Sequence, residues 1–134
     1  MAEVTSGSTG TVTSRDGTRI AYWTEGSGRP LVLVHGTTSD HTTFNELVPY
    51  LAQRRTVITF DRRGRGQSGD TPAGGAYNIE DEFDDAAAIV NEVASWDGSP
   101  VDTFGHSYGA YLALGGATRT SKMRSLVAYS PGFG

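Results

Sequence analysis

Residues 101–109 read Val-Asp-Thr-Phe-Gly-His-Ser-Tyr-Gly, and they combine a strand, a tight turn and the start of a helix. The first four residues favour a short β-strand, and a helix-forming run at 110–114 follows the second glycine. A serine between two glycines, at a turn from strand to helix, is the G-x-S-x-G nucleophile elbow. Gly105 and Gly109 lack a Cβ atom, so strand and helix can approach closely around Ser107, whose backbone is expected to be strained. The pattern predicts a serine hydroxyl held at the carboxyl end of a strand.

Apolar spacing elsewhere in the chain predicts further strands. Residues 11–13 and 19–23 alternate in polarity on either side of Asp16-Gly17, which predicts an antiparallel β-hairpin. The runs 31–34 and 56–60 are typical of strands covered on both faces, and residues 125–129 predict a last strand.

Three segments between these strands have helical spacing. The first, at 44–51, contains Pro49, so its regular helix is expected to begin only near the proline. Asn78 is the predicted N-cap of the second helix, which Gly98 ends, and the third runs from the elbow to about residue 119. This alternation predicts an α/β fold: a mostly parallel sheet with helices on both faces and an N-terminal antiparallel hairpin. Residues 1–9 are expected to form a flexible tail and residues 10–134 the core domain.

Composition narrows the function classes. The chain has 134 residues, enough for one domain, and a net charge of −4, which gives no electrostatic case for nucleic acid. It has no cysteine, which excludes disulfides, thiolate metal sites and thiol nucleophiles. No His/Asp/Glu cluster has metal-ligand spacing, so we expect neither a metal nor another cofactor. No signal-like segment or membrane-spanning apolar run is visible, so the expected location is cytoplasmic, without membrane contact.

Two further motifs accompany the elbow. His35-Gly36 follows the strand at 31–34, and Asp61-Arg62-Arg63-Gly64-Arg65-Gly66-Gln67-Ser68 follows the strand at 56–60. In this order the three motifs resemble the α/β-hydrolase superfamily, in its small esterase, perhydrolase and lactonase branch. The resemblance covers residues 10–131.

The resemblance implies a role for each matching residue. Ser107 would be the nucleophile that attacks an acyl carbonyl, and the backbone N–H groups of Thr37 and Tyr108 would form the oxyanion hole. His35 would brace the loop by hydrogen bonding, and Asp61 would satisfy loop amides. A serine at the elbow favours acyl transfer, because haloalkane dehalogenases and epoxide hydrolases of this fold use aspartate there.

Several other residues that resemble functional ones are explained more simply by structural roles. His106 is next to the nucleophile in sequence but is expected to point elsewhere, with the role of working base as the alternative. His41 is most simply a loop or helix-start residue, with a substrate contact as the alternative. The acidic start of the second helix predicts a solvated face. Residues 64–69 also match the dinucleotide fingerprint G-x-G-x-x-G, but the following segment cannot open a helix.

The chain departs from the family in one important respect. It contains about six of the family's eight strands, and the triad acid and histidine would follow the later strands. No histidine follows Ser107, so no triad acid or base is assigned. The sequence is expected to be the N-terminal piece of a longer enzyme, one half of a two-chain enzyme, or a short protein without catalysis. Its last strand would be an uncovered sheet edge, open to a complementing chain or to self-association.

The expected function is hydrolysis of a small carboxylic ester or lactone through an acyl-enzyme, with weak or no activity in this chain alone. A non-catalytic small-molecule-binding module of the same fold and a peroxide-using perhydrolase are the alternatives.

Overall fold

A computed structural model describes residues 7–129 of the chain as one six-stranded sheet with helices on both faces. The elements, in chain order, are β1 (Ser8–Thr13), β2 (Arg19–Glu25), β3 (Arg29–Val34), a 3₁₀ turn (His41–Phe44), α1 (Val48–Leu51), β4 (Arg55–Phe60), α2 (Ile79–Asp97), β5 (Val101–His106), α3 (Tyr108–Ala117) and β6 (Met123–Tyr129).

The sheet has the strand order β1-β2-β4-β3-β5-β6. The β1–β2 hairpin is antiparallel and joins the sheet through an antiparallel pairing of β2 with β4. The four strands β4, β3, β5 and β6 run parallel to one another. The predicted fold class is therefore confirmed. Because β3, β4 and β5 are parallel neighbours, the segments that follow them meet at one edge of the sheet.

The two faces of the sheet are covered unequally. Helices α2 and α3 pack on one face over the larger core cluster, which includes Ile20, Val32, Ile58 and Ile89. The 3₁₀ turn and α1 cover part of the other face with a small cluster of four buried residues, Leu33, Phe44, Val48 and Val57. A cavity of about 410 Å³, lined mainly by apolar side chains of β3, α1, β5 and β6, remains on this second face.

Local boundaries follow from the residues at each end. As expected, regular helix begins only at Val48, beside Pro49, with a 3₁₀ turn before it. Asn78 caps α2 by accepting a hydrogen bond from the Glu80 N–H group, and Gly98 ends the helix in the left-handed conformation.

Two predicted boundaries at the ends of the chain need correction. β1 begins at Ser8, so Ser8 and Thr9 pair with Thr24 and Trp23 and belong to the sheet, not to a tail. Residues 1–6 of the predicted tail lie outside the described residues. β6 is longer than predicted and forms one edge of the described sheet, with Val127 and Tyr129 exposed. Among residues 7–129, no helix combines the length and apolar character needed to cross a membrane.

Candidate active site

Ser107 occupies the turn between β5 and α3. Its backbone has φ 58° and ψ −126°, well outside the regions that residues other than glycine usually adopt. The predicted strain is therefore present at the predicted serine. The side chain is partly exposed and makes no hydrogen bond within the described residues. Its hydroxyl is therefore not used to hold the structure together.

The two glycines of the motif are required by the close contact of strand and helix. A Cβ atom on Gly109 would overlap the carbonyl oxygens of Val34 and His35, at the end of β3. A Cβ atom on Gly105 would meet the backbone of Gly109 and Ala110 in α3. The start of α3 is thus pressed against β3 and β5, which fixes the turn that carries Ser107.

Gly36 brings the loop after β3 directly against this turn. A Cβ atom built on it would lie 3.1 Å from Ser107 Cβ and 3.4 Å from the Tyr108 amide nitrogen. Within residues 7–129, neither the Thr37 nor the Tyr108 N–H group donates a hydrogen bond. Tyr108 is the first residue of α3, where N–H groups have no partner inside the helix and the helix dipole is positive. The Gly36 loop therefore sets two unpaired donors on neighbouring segments beside the serine.

His35 is fully buried and braces the same loop. Its Nδ1 atom lies 2.8 Å from the Gly36 carbonyl oxygen, and its Nε2 atom accepts a hydrogen bond from the Arg62 N–H group at 3.0 Å. An Nε2 that accepts and an Nδ1 that donates describe a neutral imidazole. Burial lowers the pKa of His35, which favours this neutral form. The ring links the loops after β3 and β4.

Asp61 is fully buried at the end of β4 and organises the loop that follows. Its Oδ1 atom accepts from the His41 N–H group at 2.8 Å and lies 2.7 Å from His41 Nδ1, while Oδ2 accepts from the Gln67 N–H group at 2.8 Å. The His41 ring stacks on Trp23 with ring centroids 3.5 Å apart. Asp61 thus accepts from two loop amides, and His41 sits at the start of the 3₁₀ turn.

The three histidines of the chain all lie away from the serine hydroxyl. His35 and His41 are held by the contacts just described, and the exposed His106 ring stacks against Tyr129 at 5.7 Å. None of them forms a hydrogen bond with Ser107 in residues 7–129. The described residues therefore supply no imidazole base to the elbow.

Two buried arginines contradict the prediction of a fully solvated acidic face on α2. Arg62 forms a two-pronged ion pair with Glu82, with both N···O distances 2.8 Å. Arg63 forms the same kind of pair with Asp85, with both distances 2.7 Å. Burial raises the pKa of Glu82, but the bonds from Arg62 and a neighbouring tyrosine outweigh it, so the pKa falls overall. Only part of the acidic run, including Glu80, faces solvent.

The position of Glu82 in the sequence indicates that its side chain is buried. Glu82 lies three positions after Ile79 and four before Ala86, so it falls on the apolar face of α2. A carboxylate there needs a cationic partner. The partner, Arg62, is 20 positions away in a glycine-rich loop, and helical periodicity does not reveal it.

Arg62 also reaches the residues around the elbow. Its Nη1 atom donates to the Gly36 carbonyl oxygen at 3.1 Å, and its guanidinium carbon lies 4.8 Å from the centre of the Tyr108 ring. Tyr77 donates to Glu82 and its hydroxyl lies 2.9 Å from the Tyr108 hydroxyl. Loop, helix and elbow are therefore joined in one polar network.

One group of potential metal ligands appears only in three dimensions. Asp40, His41 and Asp61 each offer an atom, and these atoms lie within 4.8 Å of one another. The prediction that no His/Asp/Glu cluster has metal-ligand spacing did not reveal this group, because Asp61 is 20 positions from His41. Both carboxylates already accept hydrogen bonds within the loop, since Asp40 Oδ1 accepts from the Thr42 N–H group and Asp61 Oδ1 from the His41 N–H group. Hydrogen bonding within the loop explains the cluster, and we assign no metal to it.

The dinucleotide fingerprint at 64–69 is not a nucleotide site of the expected kind. No helix follows it until Ile79, and a Rossmann fingerprint opens a helix directly. The loop instead packs back on Asp61 and on β2, where the Gly69 N–H group donates to the Arg19 carbonyl oxygen at 2.7 Å. An open polar groove of about 540 Å³ lies between this loop and the loop after Thr37, lined by Thr38, Ser39, Asp40, Thr42, Thr43, Arg65 and Gly66.

Comparison with known proteins shows the family of this chain. The profile of the alpha/beta hydrolase family matches residues 31–134. The chain belongs to the alpha/beta hydrolase family.

Similar proteins in this family include several enzymes. The chain is 36% identical over 126 residues to a non-heme haloperoxidase of Rhodococcus erythropolis, a match that covers 90% of the chain and 44% of that protein. It is 38% identical over 102 residues to a soluble epoxide hydrolase of Corynebacterium sp. (strain C12), covering 74% and 33%. An alpha/beta hydrolase structure from Sphaerobacter thermophilus DSM 20745 is 44% identical with a TM-score of 0.76, covering 87% and 43%. The chain spans less than half the length of each of these relatives.

Proposed function

We propose that this chain carries the nucleophile and the oxyanion hole of a serine hydrolase that acts on a small carboxylic ester or lactone. Ser107 is the nucleophile, and the N–H groups of Thr37 and Tyr108 are the oxyanion donors. The general base and acid come from outside the 134 residues. The observation that carries the proposal is the strained Ser107 packed against Gly36. Within residues 7–129, neither its hydroxyl nor the N–H groups of Thr37 and Tyr108 form a hydrogen bond.

The proposed reaction is acyl transfer in two steps. Ser107 Oγ bonds to the substrate carbonyl carbon, the carbonyl oxygen takes negative charge beside the two amides, and the hydroxyl proton passes to the external base. The ester C–O bond then breaks and the leaving alkoxide takes a proton. Water hydrolyses the resulting acyl-serine and restores the hydroxyl. One oxyanion donor typically contributes about 3 kcal/mol to such a reaction.

Without a general base among the described residues, the reactivity of the Ser107 hydroxyl is limited. A serine hydroxyl is a weak nucleophile near pH 7 unless a base accepts its proton. Loss of the base typically costs about 10⁶ in kcat. We therefore expect the isolated chain to react slowly at Ser107, at a rate that an added base raises.

The identity of the residue at the elbow also favours one reaction over another among those of the relatives. In the resemblance set out above, epoxide-opening enzymes of this fold carry aspartate at the elbow, whereas this chain carries Ser107. An acyl-serine is an ordinary intermediate of ester hydrolysis. The similarity to a soluble epoxide hydrolase therefore supports the shared fold, while the elbow residue supports acyl transfer.

Covalent labelling with a fluorophosphonate tests the proposal. The probe phosphonylates an activated serine: an O–P bond forms, the P–F bond breaks, and the proton leaves with the base. Labelling of the wild-type chain is followed by intact mass, with and without added imidazole as the missing base. We expect slow labelling that imidazole accelerates, with the adduct mapped to Ser107.

The matched control is Ser107→Ala, which removes the hydroxyl and leaves the other serines in place. It should gain no adduct at the elbow peptide under either condition. An absence of Ser107 labelling in wild type, even with imidazole, would contradict the proposal and favour a non-catalytic binding module. Rapid labelling without imidazole would show that the chain holds a base of its own.

A peroxide-using activity is the second candidate, and the similarity to a non-heme haloperoxidase favours it. Here hydrogen peroxide replaces water as the acyl acceptor, so the acyl–Oγ bond breaks and a peracid forms. The test compares loss of a preformed acetyl group from Ser107 in water and in peroxide, with acetylated N-acetylserine amide as reference. A peroxide-to-water ratio above that of the reference supports this candidate, and an equal ratio contradicts it.

A further inference from the structure

Arg62 contacts both of the segments that carry the proposed oxyanion donors. It donates to the Gly36 carbonyl oxygen at 3.1 Å, and its guanidinium lies over the Tyr108 ring at 4.8 Å. Its side chain is almost fully buried and is anchored by Glu82 on α2. The guanidinium therefore has one fixed position from which it contacts both segments.

The contact with Gly36 bears directly on the Thr37 donor. The Gly36 carbonyl and the Thr37 N–H belong to the same planar peptide unit and point in opposite directions. Fixing the carbonyl oxygen on one side therefore fixes the direction of the N–H group on the other. Three groups hold that oxygen: Arg62 Nη1, His35 Nδ1 at 2.8 Å and Ser39 Oγ at 3.2 Å. Arg62 is the only permanently charged member.

The charge adds a second effect. A hydrogen bond from a cation to a carbonyl is stronger than a neutral one, and it polarises the peptide group, which makes the N–H on the far side a better donor. The site is buried, so water does not screen this effect as it would at the surface.

We propose that Arg62 is a positioning residue of the oxyanion hole, which orients and polarises the Gly36–Thr37 peptide so that the Thr37 N–H group faces the reacting carbonyl oxygen. This inference rests on the proposed function. It goes beyond it in assigning to a loop arginine, which touches neither Ser107 nor the substrate, control over one of the two donors.

The chain offers a matched control in Arg63. Arg63 is as buried as Arg62, with each residue 2% exposed, and it forms the same two-pronged pair with a carboxylate of α2. Its other hydrogen bonds go to Asp16 and Thr71, and none goes to the Gly36 loop. Removing either pair takes a buried bidentate ion pair from the same loop, and removal of Arg63 also takes a partner from the part-exposed Asp16. Only the removal of Arg62 affects the Gly36 carbonyl.

The experiment compares two double variants, Arg62→Met/Glu82→Met and Arg63→Met/Asp85→Met, so that neither leaves a buried charge alone. The first readout is the rate of fluorophosphonate labelling of Ser107 in added imidazole. The second is the amide resonance of Thr37 in a ¹H–¹⁵N spectrum, which a merely structural role would not move selectively. Arg62→Lys, which keeps a charge opposite Glu82, is the conservative variant.

We expect labelling to slow about tenfold in Arg62→Met/Glu82→Met, a part of the loss that follows from removing a whole donor. The Thr37 resonance should move in the same variant. Arg63→Met/Asp85→Met should label at close to the wild-type rate with Thr37 unmoved, and Arg62→Lys should fall between. Should the Arg62 double variant fail to fold, Arg62→Lys carries the same two readouts.

The experiment distinguishes failure of the positioning role of Arg62 from failure of the proposed function. If wild type labels at Ser107 and the Arg62 variants label equally fast, or both double variants move Thr37 alike, the positioning role is wrong and the proposed function stands. If wild type is not labelled at all, the proposed function fails. The Thr37 resonance then still decides whether Arg62 sets that peptide.

Discussion

The turn at Ser107 and the loop from Asp61 to Asn78 meet at the same edge of the sheet, but different forces hold them. The turn is held by backbone packing, with Gly105 and Gly109 pressed against neighbouring main chain. The loop has little regular structure and is held by buried side chains that reach distant elements, such as Arg62 to α2. The comparison shows that a turn encoded by neighbouring residues can lie beside a loop whose support is encoded far away in the sequence.

This difference predicts how each region responds to mutation. The turn should tolerate no added atom, because its contacts are with backbone that cannot move aside. The loop should tolerate paired replacement of its ion pairs but not the loss of one partner, because an unpaired buried charge is very costly.

The largest effect is expected for Arg62→Met alone. It leaves the Glu82 carboxylate buried without its cation, and such a loss typically destabilises a protein by about 3–5 kcal/mol. The double variant Arg62→Met/Glu82→Met should recover most of this loss. Urea unfolding of the single and double variants measures the difference. Equal destabilisation of both would show that the ion pair does not determine how the loop is held.

The next largest effect is expected for Gly109→Ala. Alanine normally stabilises a helix relative to glycine by roughly 0.5–1 kcal/mol, but here its Cβ atom would overlap the carbonyl oxygens of Val34 and His35. We expect a loss of about 3 kcal/mol, at the upper end for overpacking. Thermal unfolding checks it.

Gly98→Ala is the control for that substitution. Gly98 has φ 81°, but a Cβ atom there would meet nothing within 4 Å. It should therefore cost only the roughly 1–2 kcal/mol of a left-handed residue. A loss at Gly109 no greater than at Gly98 would refute the close-packing explanation of the elbow.

A smaller effect is expected at the junction of the loop with α2. Asn78→Ala removes the side-chain cap that accepts from the Glu80 N–H group, which typically costs about 1 kcal/mol. Asn78→Asp keeps an acceptor and should be neutral or slightly stabilising near the positive helix end. Chemical denaturation compares the two variants, and a similar loss in both would contradict the capping role.

The smallest effect is expected from a change of pH, which acts on His35, the buried ring that links the loops after β3 and β4. Burial lowers the pKa of His35 below its ordinary value of 6.5, so the folded chain binds this proton less readily than the unfolded chain. The free energy of unfolding should therefore be highest above pH 6.5 and fall as the pH drops below it.

The matched variant for this measurement is His35→Gln, whose carbonyl oxygen can still accept from the Arg62 N–H group. Its stability should depend less on pH between about 7 and 5.5, a window above the ordinary pKa of the carboxylates. The same slope in both proteins would show that His35 is not the group responsible.

The features that depend on interactions between nearby residues could be predicted from the sequence. The hairpin at Asp16-Gly17, the late start of α1 at Pro49, the caps of α2 and the elbow at Ser107 all depend on residues a few positions apart. The cationic partners of the buried carboxylates on α2 could not be predicted, because they come from a loop 20 or more positions away. The contact of Arg62 with Gly36 depends on strand order, which local patterns do not specify.

The proposed oxyanion donors are tested by the ¹H–¹⁵N spectrum of the chain after phosphonylation at Ser107. The phosphoryl oxygen of the adduct takes the place of the carbonyl oxygen in the reaction. We predict that the Thr37 and Tyr108 amide protons both move downfield on adduct formation, because each gains a hydrogen bond to that oxygen. An adduct on Ser107 that leaves both amides unmoved would show that these groups are not the oxyanion hole.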